Sequence, residues 1–282
     1  MNNTNNPTQQ DLLTQKLSED GILRLTLNDE KRRNALSEEM MATLSESLNQ
    51  ASINDAVRVI ILAAIGPAFC SGHDLKQMSA RRNSEDNGRQ YFTEVFVKCS
   101  SLMKSITSNS KPIIAEVSGV AAAAGCQLVA SCDLAIASES ARFITPGVNI
   151  GLFCSTPMVA LSRNISNKAA MEMLLTGEMV SAKKAEHIGL INQAVKDIDL
   201  TESTMNMAKV IASKSSLTLK TGKQAFYKQK EMSLEAAYDY TSSIMVENML
   251  KLDAKEGISA FIEKRQPKWQ DCLLYTSPSP RD

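Results

Sequence analysis

The sequence predicts an α/β core followed by a helical C-terminal region, and three observations carry that expectation. Residues 57–64, VRVIILAA, form an almost continuous apolar run, which suits a strand buried on both faces of a parallel sheet. The order strand, tight turn, short helix, strand recurs along residues 57–138, which implies parallel strands joined by crossovers. After Gly177 the apolar residues fall into helical periods. The expected division is a core over 15–200 and a helical region over 201–270.

Taken in order, residues 1–14 are polar and read as a disordered tail. ILRLTL at 22–27 alternates apolar and polar, as a strand does. Ser37 caps a helix that places Met40, Leu44, Leu48 and Ala51 on one face. The run at 57–64 ends at Gly66 and Pro67. The stretch from Ser79 to Arg89 is charged and reads as a mobile surface loop, with a helix after it from about Gln90 to Ser105. Lys111-Pro112 introduces a buried strand, IIAEVSG. AAAAGCQLVASC forms a turn and short helix, and DLAIAS at 133–138 the next strand. Ser181 reads as an N-cap and Gly189 as a helix stop. Periodic helices are expected at about 201–213, 218–229, 233–250 and 253–265. Residues 271–282, with Pro278 and Pro280, look foreign to the fold.

Composition narrows the function. The chain is 43% hydrophobic and 22% charged, ordinary for a globular protein. Basic and acidic residues balance at 31 each, which argues against nucleic acid as a partner, because that affinity rests on neutralised phosphates. No apolar run reaches the ~20 residues that cross a bilayer, so no membrane role is expected. No leader of secretory or transit type is visible, and a cytoplasmic location follows as the expectation. The six cysteines form no CxxC pair, and no histidine lies at zinc-ligand spacing. They read as buried free thiols in a reducing compartment, with no metal site.

Two segments carry candidate chemistry. AFCSGHDLK at 68–76 follows a buried strand and so lies at the strand's carboxyl end, where α/β proteins place ligands. Gly72 lets the main chain turn sharply there. GVAAAAGCQ at 119–127 also follows a buried strand, and its small side chains leave the main chain open as it enters a helix, whose N-terminus offers free N–H groups. Together the loops would supply two converging donors of the kind that hold a developing oxyanion. Two tight turns packed on small residues would look the same by spacing alone.

These blocks resemble the crotonase (enoyl-CoA hydratase/isomerase) superfamily. The similarity runs from Ile22 to Trp269 through NDEKRRNALSEEM, AFCSGHDLKQM, PIIAEVSGVAAAAGCQLVASCDLAIAS, ARFITPGVNIGLFCSTP, VSAKKAEHIGLINQAV and EGISAFIEKRQPKW. The resemblance implies a spiral of ββα turns with a C-terminal helical region, assembly as a homotrimer or dimer of trimers, and a role in fatty acid metabolism, with a mitochondrial matrix location beside the cytoplasmic one. It implies an acyl-CoA thioester as ligand, with no permanently bound cofactor and coenzyme A arriving as part of the substrate. It places the oxyanion N–H groups at His73 and Ala124, on loops that include Ser71, Gly72 and Gly119. Asp74, Leu75 and Lys76 would lie along the adenine, and Arg33 and Ala35 beside the phosphates and pantetheine. Phe261 and Lys264 would close over the nucleotide, from this or a neighbouring subunit.

Two departures weigh on the reaction. Where hydratases of the family carry their glutamates, this chain has Gln127 and Gly147. Hydration needs one group to activate water and one to protonate the α-carbon, and each such group is worth ~10²–10⁴-fold. Gln127 orients a water without exchanging a proton. Candidates to substitute are His73, whose side chain either joins the chemistry or points outward, Asp74, which otherwise bonds the local backbone, Asn149, and Cys154, as nucleophile or buried thiol. Lys31, Arg32 and Arg33 are either a solvated face or a phosphate site. Three readings stand: a residual hydratase or isomerase, a malonyl-type acyl-CoA decarboxylase, and a non-catalytic acyl-CoA binder or modulator.

Overall fold

A computed structural model of the chain describes residues 12–271. Residues 1–11 and 272–282 lie outside the described residues, and with them most of both expected tails. Leu13, Thr14 and Asp271 do not belong to tails. Leu13 and Thr14 lie in strand β1 (Leu13–Leu17), paired antiparallel with β2 (Ile22–Leu27). Asp271 accepts from Arg58 Nη1 at 2.7 Å and from the Ser216 N–H at 2.6 Å.

The core is a ladder of repeated steps between two sheets. Helix α1 (Glu38–Ile53) starts at Ser37, whose hydroxyl accepts from the Met40 N–H, and buries Met40, Leu44, Leu48 and Ala51. Strand β3 (Val59–Ala64) then crosses to β4 (Ala68–Cys70), and helices α2 (Leu75–Ala80) and α3 (Arg89–Ser108) follow. Next, β5 (Ile113–Val117) leads through β6 (Val120–Ala122) to α4 (Ala124–Ser131). Strand β7 (Leu134–Ser138) leads through β8 (Arg142–Ile144) to α5 (Pro157–Leu161) and α6 (Asn167–Thr176). Strand β9 (Val180–Ser181), helix α7 (Ala182–His187) and strand β10 (Gln193–Val195) close the core. The long strands form a six-stranded sheet, β1-β2-β3-β5-β7-β10, parallel except for β1. The short ones form a second sheet, β4-β6-β8-β9. This is the spiral of ββα turns that the resemblance implies. The charged stretch at 79–89 is not one loop: α2 runs to Ala80, a 3₁₀ turn spans Arg81–Asn83, and α3 begins at Arg89. Asp86 organises the remaining turn by accepting from the Gly88 and Gln90 N–H groups.

Four helices follow: α8 (Leu200–Ala212), α9 (Ser216–Gln229), α10 (Leu234–Met249) and α11 (Leu252–Ile262). Helix α8 covers the outer face of the large sheet, where Ala208 and Ala212 pack on Ile22, Val59, Ile61 and Ile114. Buried Glu116 fastens it, binding Arg24 (2.8 Å for Nη1) and accepting from the Thr201 hydroxyl at 3.0 Å. Helix α9 is held through Asp133, which accepts from Lys223 Nζ at 2.7 Å, the Tyr227 hydroxyl at 2.9 Å and the Ile113 N–H at 2.7 Å. Helix α10 has no buried residue.

Candidate functional site

The first loop is built by a buried asparagine. Arg33 and Asn34 both adopt left-handed backbone, with φ of 53°, a conformation Asn tolerates better than most residues. Asn34 Nδ2 donates to the Ile65 and Ala68 carbonyls at 2.8 Å each, and its Oδ1 accepts from the Asp29 N–H at 2.8 Å. These bonds satisfy a fully buried amide. The Ser71 N–H then donates to the Arg33 carbonyl at 3.1 Å, and the Leu36 N–H to the Gly72 carbonyl at 2.7 Å. Arg33, Ala35, Ser71, Gly72 and His73 are thereby held on adjoining loop segments joined by an isolated bridge between Leu36 and His73. Asn34 received no role from the sequence; an Asn between charged residues and a buried Ala was its only signal.

Asp74 is the N-cap of α2 and accepts from the Lys76 and Gln77 N–H groups at 2.9 and 3.1 Å. Its carboxylate is committed to the backbone, so it is not a free base. Leu75 and Lys76 are exposed on α2, and Lys31 and Arg33 are exposed on the preceding turn.

The second loop presses directly on the first. The Ala123 N–H donates to the Ile144 carbonyl at 2.8 Å, and Ala123 has φ of 48°. Helix α4 starts at Ala124, with every residue buried. Gly125 makes the close approach: a Cβ there would lie 2.1 Å from the Cys70 carbonyl oxygen. Gly72 answers from the other side with φ of +90°, and a Cβ on it would lie 3.4 Å from the Ala124 nitrogen. The His73 and Ala124 N–H groups donate to no acceptor among the described residues. Gly119 sits below, in the β5–β6 turn, where its carbonyl accepts from the Arg142 N–H at 3.0 Å.

The side chains part company. His73 does not point outward. Its ring sits in a slot lined by Leu36, Met41, Met78, Tyr91 and Val95 together with Glu38, Asp74 and Gln77, edge-on to Phe96 with centroids 5.5 Å apart. Neither ring nitrogen has a hydrogen-bond partner among the described residues. Burial pushes its pKa below the ordinary histidine value, and the nearby Leu36 carbonyl offsets part of that without reaching bonding geometry. Gln127, one helical turn after Ala124, opens on a different space, a cavity of about 540 Å³ between α3, α4, α5 and the end of α9. It is 4% exposed, and its Oε1 has no partner among the described residues. Gly147 is buried with no room beside it: a Cβ would come within 2.8 Å of the Leu152 carbonyl oxygen and 2.9 Å of Cys154 Sγ. Asn149 is engaged elsewhere, its Nδ2 donating to the Gly177 carbonyl at 3.2 Å.

Cys70, Cys99, Cys126, Cys132 and Cys154 are buried and free. Burial raises all their pKa values, to about 12 for Cys70 and Cys126 and about 11 for Cys99. No thiol here is activated as a nucleophile. Phe261 is 85% exposed, and Lys264 is exposed beyond α11. The polar contacts of this region run to Ser213, Ser215 and Arg58, not to the loops at 33–35 and 74–76. Within one chain the structure does not bring these residues to the other expected coenzyme A contacts.

Comparison with known proteins agrees with the geometry. The chain is 50% identical over 251 residues to the mitochondrial enoyl-CoA hydratase domain-containing protein 3 of Homo sapiens, covering 89% of this chain and 81% of that protein. It is 32% identical over 254 residues to 1,2-epoxyphenylacetyl-CoA isomerase of Escherichia coli, covering 89% and 95%. Among solved structures, an enoyl-CoA hydratase of Mycobacterium smegmatis superposes with a TM-score of 0.88 at 46% identity, over 92% of this chain and 99% of that one. The human domain-containing protein 3 gives 0.86 at 46%, over 92% and 100%. Residues 18–272 match the family model described as enoyl-CoA hydratase/isomerase, and the chain belongs to that family, with the crotonase fold.

Proposed function

We propose that the protein binds acyl-CoA thioesters and holds the thioester oxygen between the His73 and Ala124 main-chain N–H groups. One observation carries the reading. Two unused main-chain donors lie on loops so closely packed that a Cβ on Gly72 would touch the Ala124 nitrogen. Fixed donors of this kind stabilise negative charge developing on a carbonyl oxygen. Exposed Lys31, Arg33 and Lys76 supply cations for the coenzyme A phosphates. Coenzyme A comes and goes with the substrate, and no resident cofactor is needed.

The chemistry that fits is enolate formation without a strong base. In a malonyl-type thioester the bond between the α-carbon and the carboxylate breaks, CO₂ leaves, and the electron pair passes into the enolate at the two N–H groups. Water held by Gln127 then delivers a proton to the α-carbon, and the hydroxide it leaves combines with the released CO₂ as bicarbonate. Classical hydration is disfavoured, because neither Gln127 nor Gly147 is an acid-base group. The test is a panel of acyl-CoA thioesters, with binding by calorimetry and products by mass spectrometry. Turnover of malonyl-type thioesters above that of crotonyl-CoA is expected. Inactivity on both with tight binding would replace the enzyme by the second reading, a non-catalytic binder. That second reading rests on the absence of an acid-base side chain at both Gln127 and Gly147. Absence of binding to any acyl-CoA would refute both.

A homotrimer or dimer of trimers completes the proposal. Helices α10 and α11 expose Tyr238, Met245, Leu250, Phe261 and Ile262, a face that a second copy would cover and that would carry Phe261 and Lys264 to a neighbour's nucleotide. Light scattering of the full chain checks the mass. The mitochondrial names of the vertebrate relatives support that compartment over the cytoplasm.

A further inference from the structure

We infer that the acyl group this protein takes carries an anion at its far end, a dicarboxylic rather than a simple fatty acyl chain. The inference rests on the acyl-CoA binding proposed above, not on the malonyl-type decarboxylation, and names the acyl class that the same site would take. The cavity that begins at Gln127 runs along α4 away from the Ala124 N–H, and from Ala124 to Ser131 the helix rises about 10 Å. Met103 and Val159 give the passage apolar walls, and its far end is cationic. Lys104, Arg163 and Lys230 line it, against one carboxylate, Glu231.

The cations are placed by the fold. The Asn164 amide donates to the Ala130 carbonyl at 2.7 Å, which fixes the preceding Arg163 beside the second turn of α4. Lys230 Nζ donates to the Arg163 carbonyl at 2.9 Å. The Lys104 ammonium has no partner among the described residues. Arg163 reaches Glu231 at only 3.5 Å, through side chains 52% and 68% exposed, a loose pair that a ligand carboxylate displaces. A guanidinium and two ammonium groups at the solvent-exposed mouth of an apolar passage give a terminal carboxylate charge-assisted partners that a methyl end cannot use. At the near end, the unpartnered Oε1 of Gln127 marks the passage as built for a ligand or an ordered water.

Calorimetric titration of the full-length chain with hexanoyl-CoA and with adipoyl-CoA, equal in carbon number, tests this. Adipoyl-CoA should bind about 10- to 100-fold more tightly, the range for a hydrogen bond to a charged group. Arg163→Gln with Lys230→Gln should shrink the preference to within about twofold. Lys104→Gln, at a side chain with no partner to lose, should reduce it with no risk to folding. Equal affinity for the two thioesters, or a preference that survives these substitutions, overturns the inference and leaves acyl-CoA binding intact. Failure of both thioesters to bind overturns the acyl-CoA reading and this inference together.

Discussion

Gly147→Ala tests whether the site has lost only the chemistry of a second carboxylate or also the room for it. The added methyl carbon would sit 2.8 Å from the Leu152 carbonyl oxygen and 2.9 Å from Cys154 Sγ. Ordinary contact begins near 3.4 Å, so the segment 152–154 must retreat by about 0.6 Å. Leu152 is 49% exposed, so the segment yields at a cost instead of blocking folding. Overpacking of this kind costs about 1–3 kcal/mol, and each kcal/mol shifts Tm by about 2–4 °C in a chain of this size. Thermal unfolding followed by circular dichroism should show that loss. Cys154→Ala in the same chain should recover part of it by removing the sulfur, with the Leu152 carbonyl still in place. A Gly147→Ala variant within 0.5 kcal/mol of the parent would refute the reasoning. If the crowding holds, Gln127→Glu with Gly147→Glu will not restore hydration without a rebuilt 152–154 segment.

Three further outcomes are expected. Gly125→Ala drives a methyl to 2.1 Å from the Cys70 carbonyl oxygen, so it should separate the two loops and weaken acyl-CoA binding at least tenfold in calorimetric titration. Asp133→Ala removes the counterion of Lys223, whose side chain is 7% exposed, and should cost about 3–5 kcal/mol by denaturant unfolding. The depressed pKa of His73 gives a pH dependence with a defined sign. The unfolded chain takes up a proton near pH 6.5 that the buried ring resists, so this contribution is full above that pH and is lost as pH falls through the lower folded value. His73→Leu, packed against Leu36, Met41, Met78 and Val95, should flatten the fall in Tm between pH 7 and pH 5.

What was legible in the sequence was what the local chain decides. The Ser37 and Ser181 caps, the strand at 22–27 and the buried runs of β3 and β5 all follow from residues within a turn or a strand of one another. The short strands β4, β6 and β8 have three residues each, too few to show a period. Strand β1 buries only its first residue, so its first two residues read as the end of a polar tail. The slot that takes the His73 ring is assembled from α1, α2 and α3, elements that only the folded chain brings together. The same holds at Gly147, where the obstruction comes from Leu152 and Cys154 across a turn. Asn34 was missed because its value lies in two carbonyls more than 30 residues away.

The proposed donors at His73 and Ala124 are main-chain groups, and that governs how the site reads and how it changes. A main-chain N–H leaves no signature in the residue that bears it, only in the glycines and small side chains that let the backbone come close. Under that proposal the His73 ring serves packing while its N–H serves the ligand, and a search for catalytic side chains would stop at the wrong atom. The same separation makes the two departures unequal. Gln127 has the shape of glutamate, so it changes charge and keeps geometry. Gly147 has surrendered volume to the carbonyl and thiol that now fill it. A site that keeps its proposed oxyanion donors while one acid-base position is walled off is suited to reactions in which the substrate supplies its own electron pair. A leaving carboxylate does that, and an added water does not.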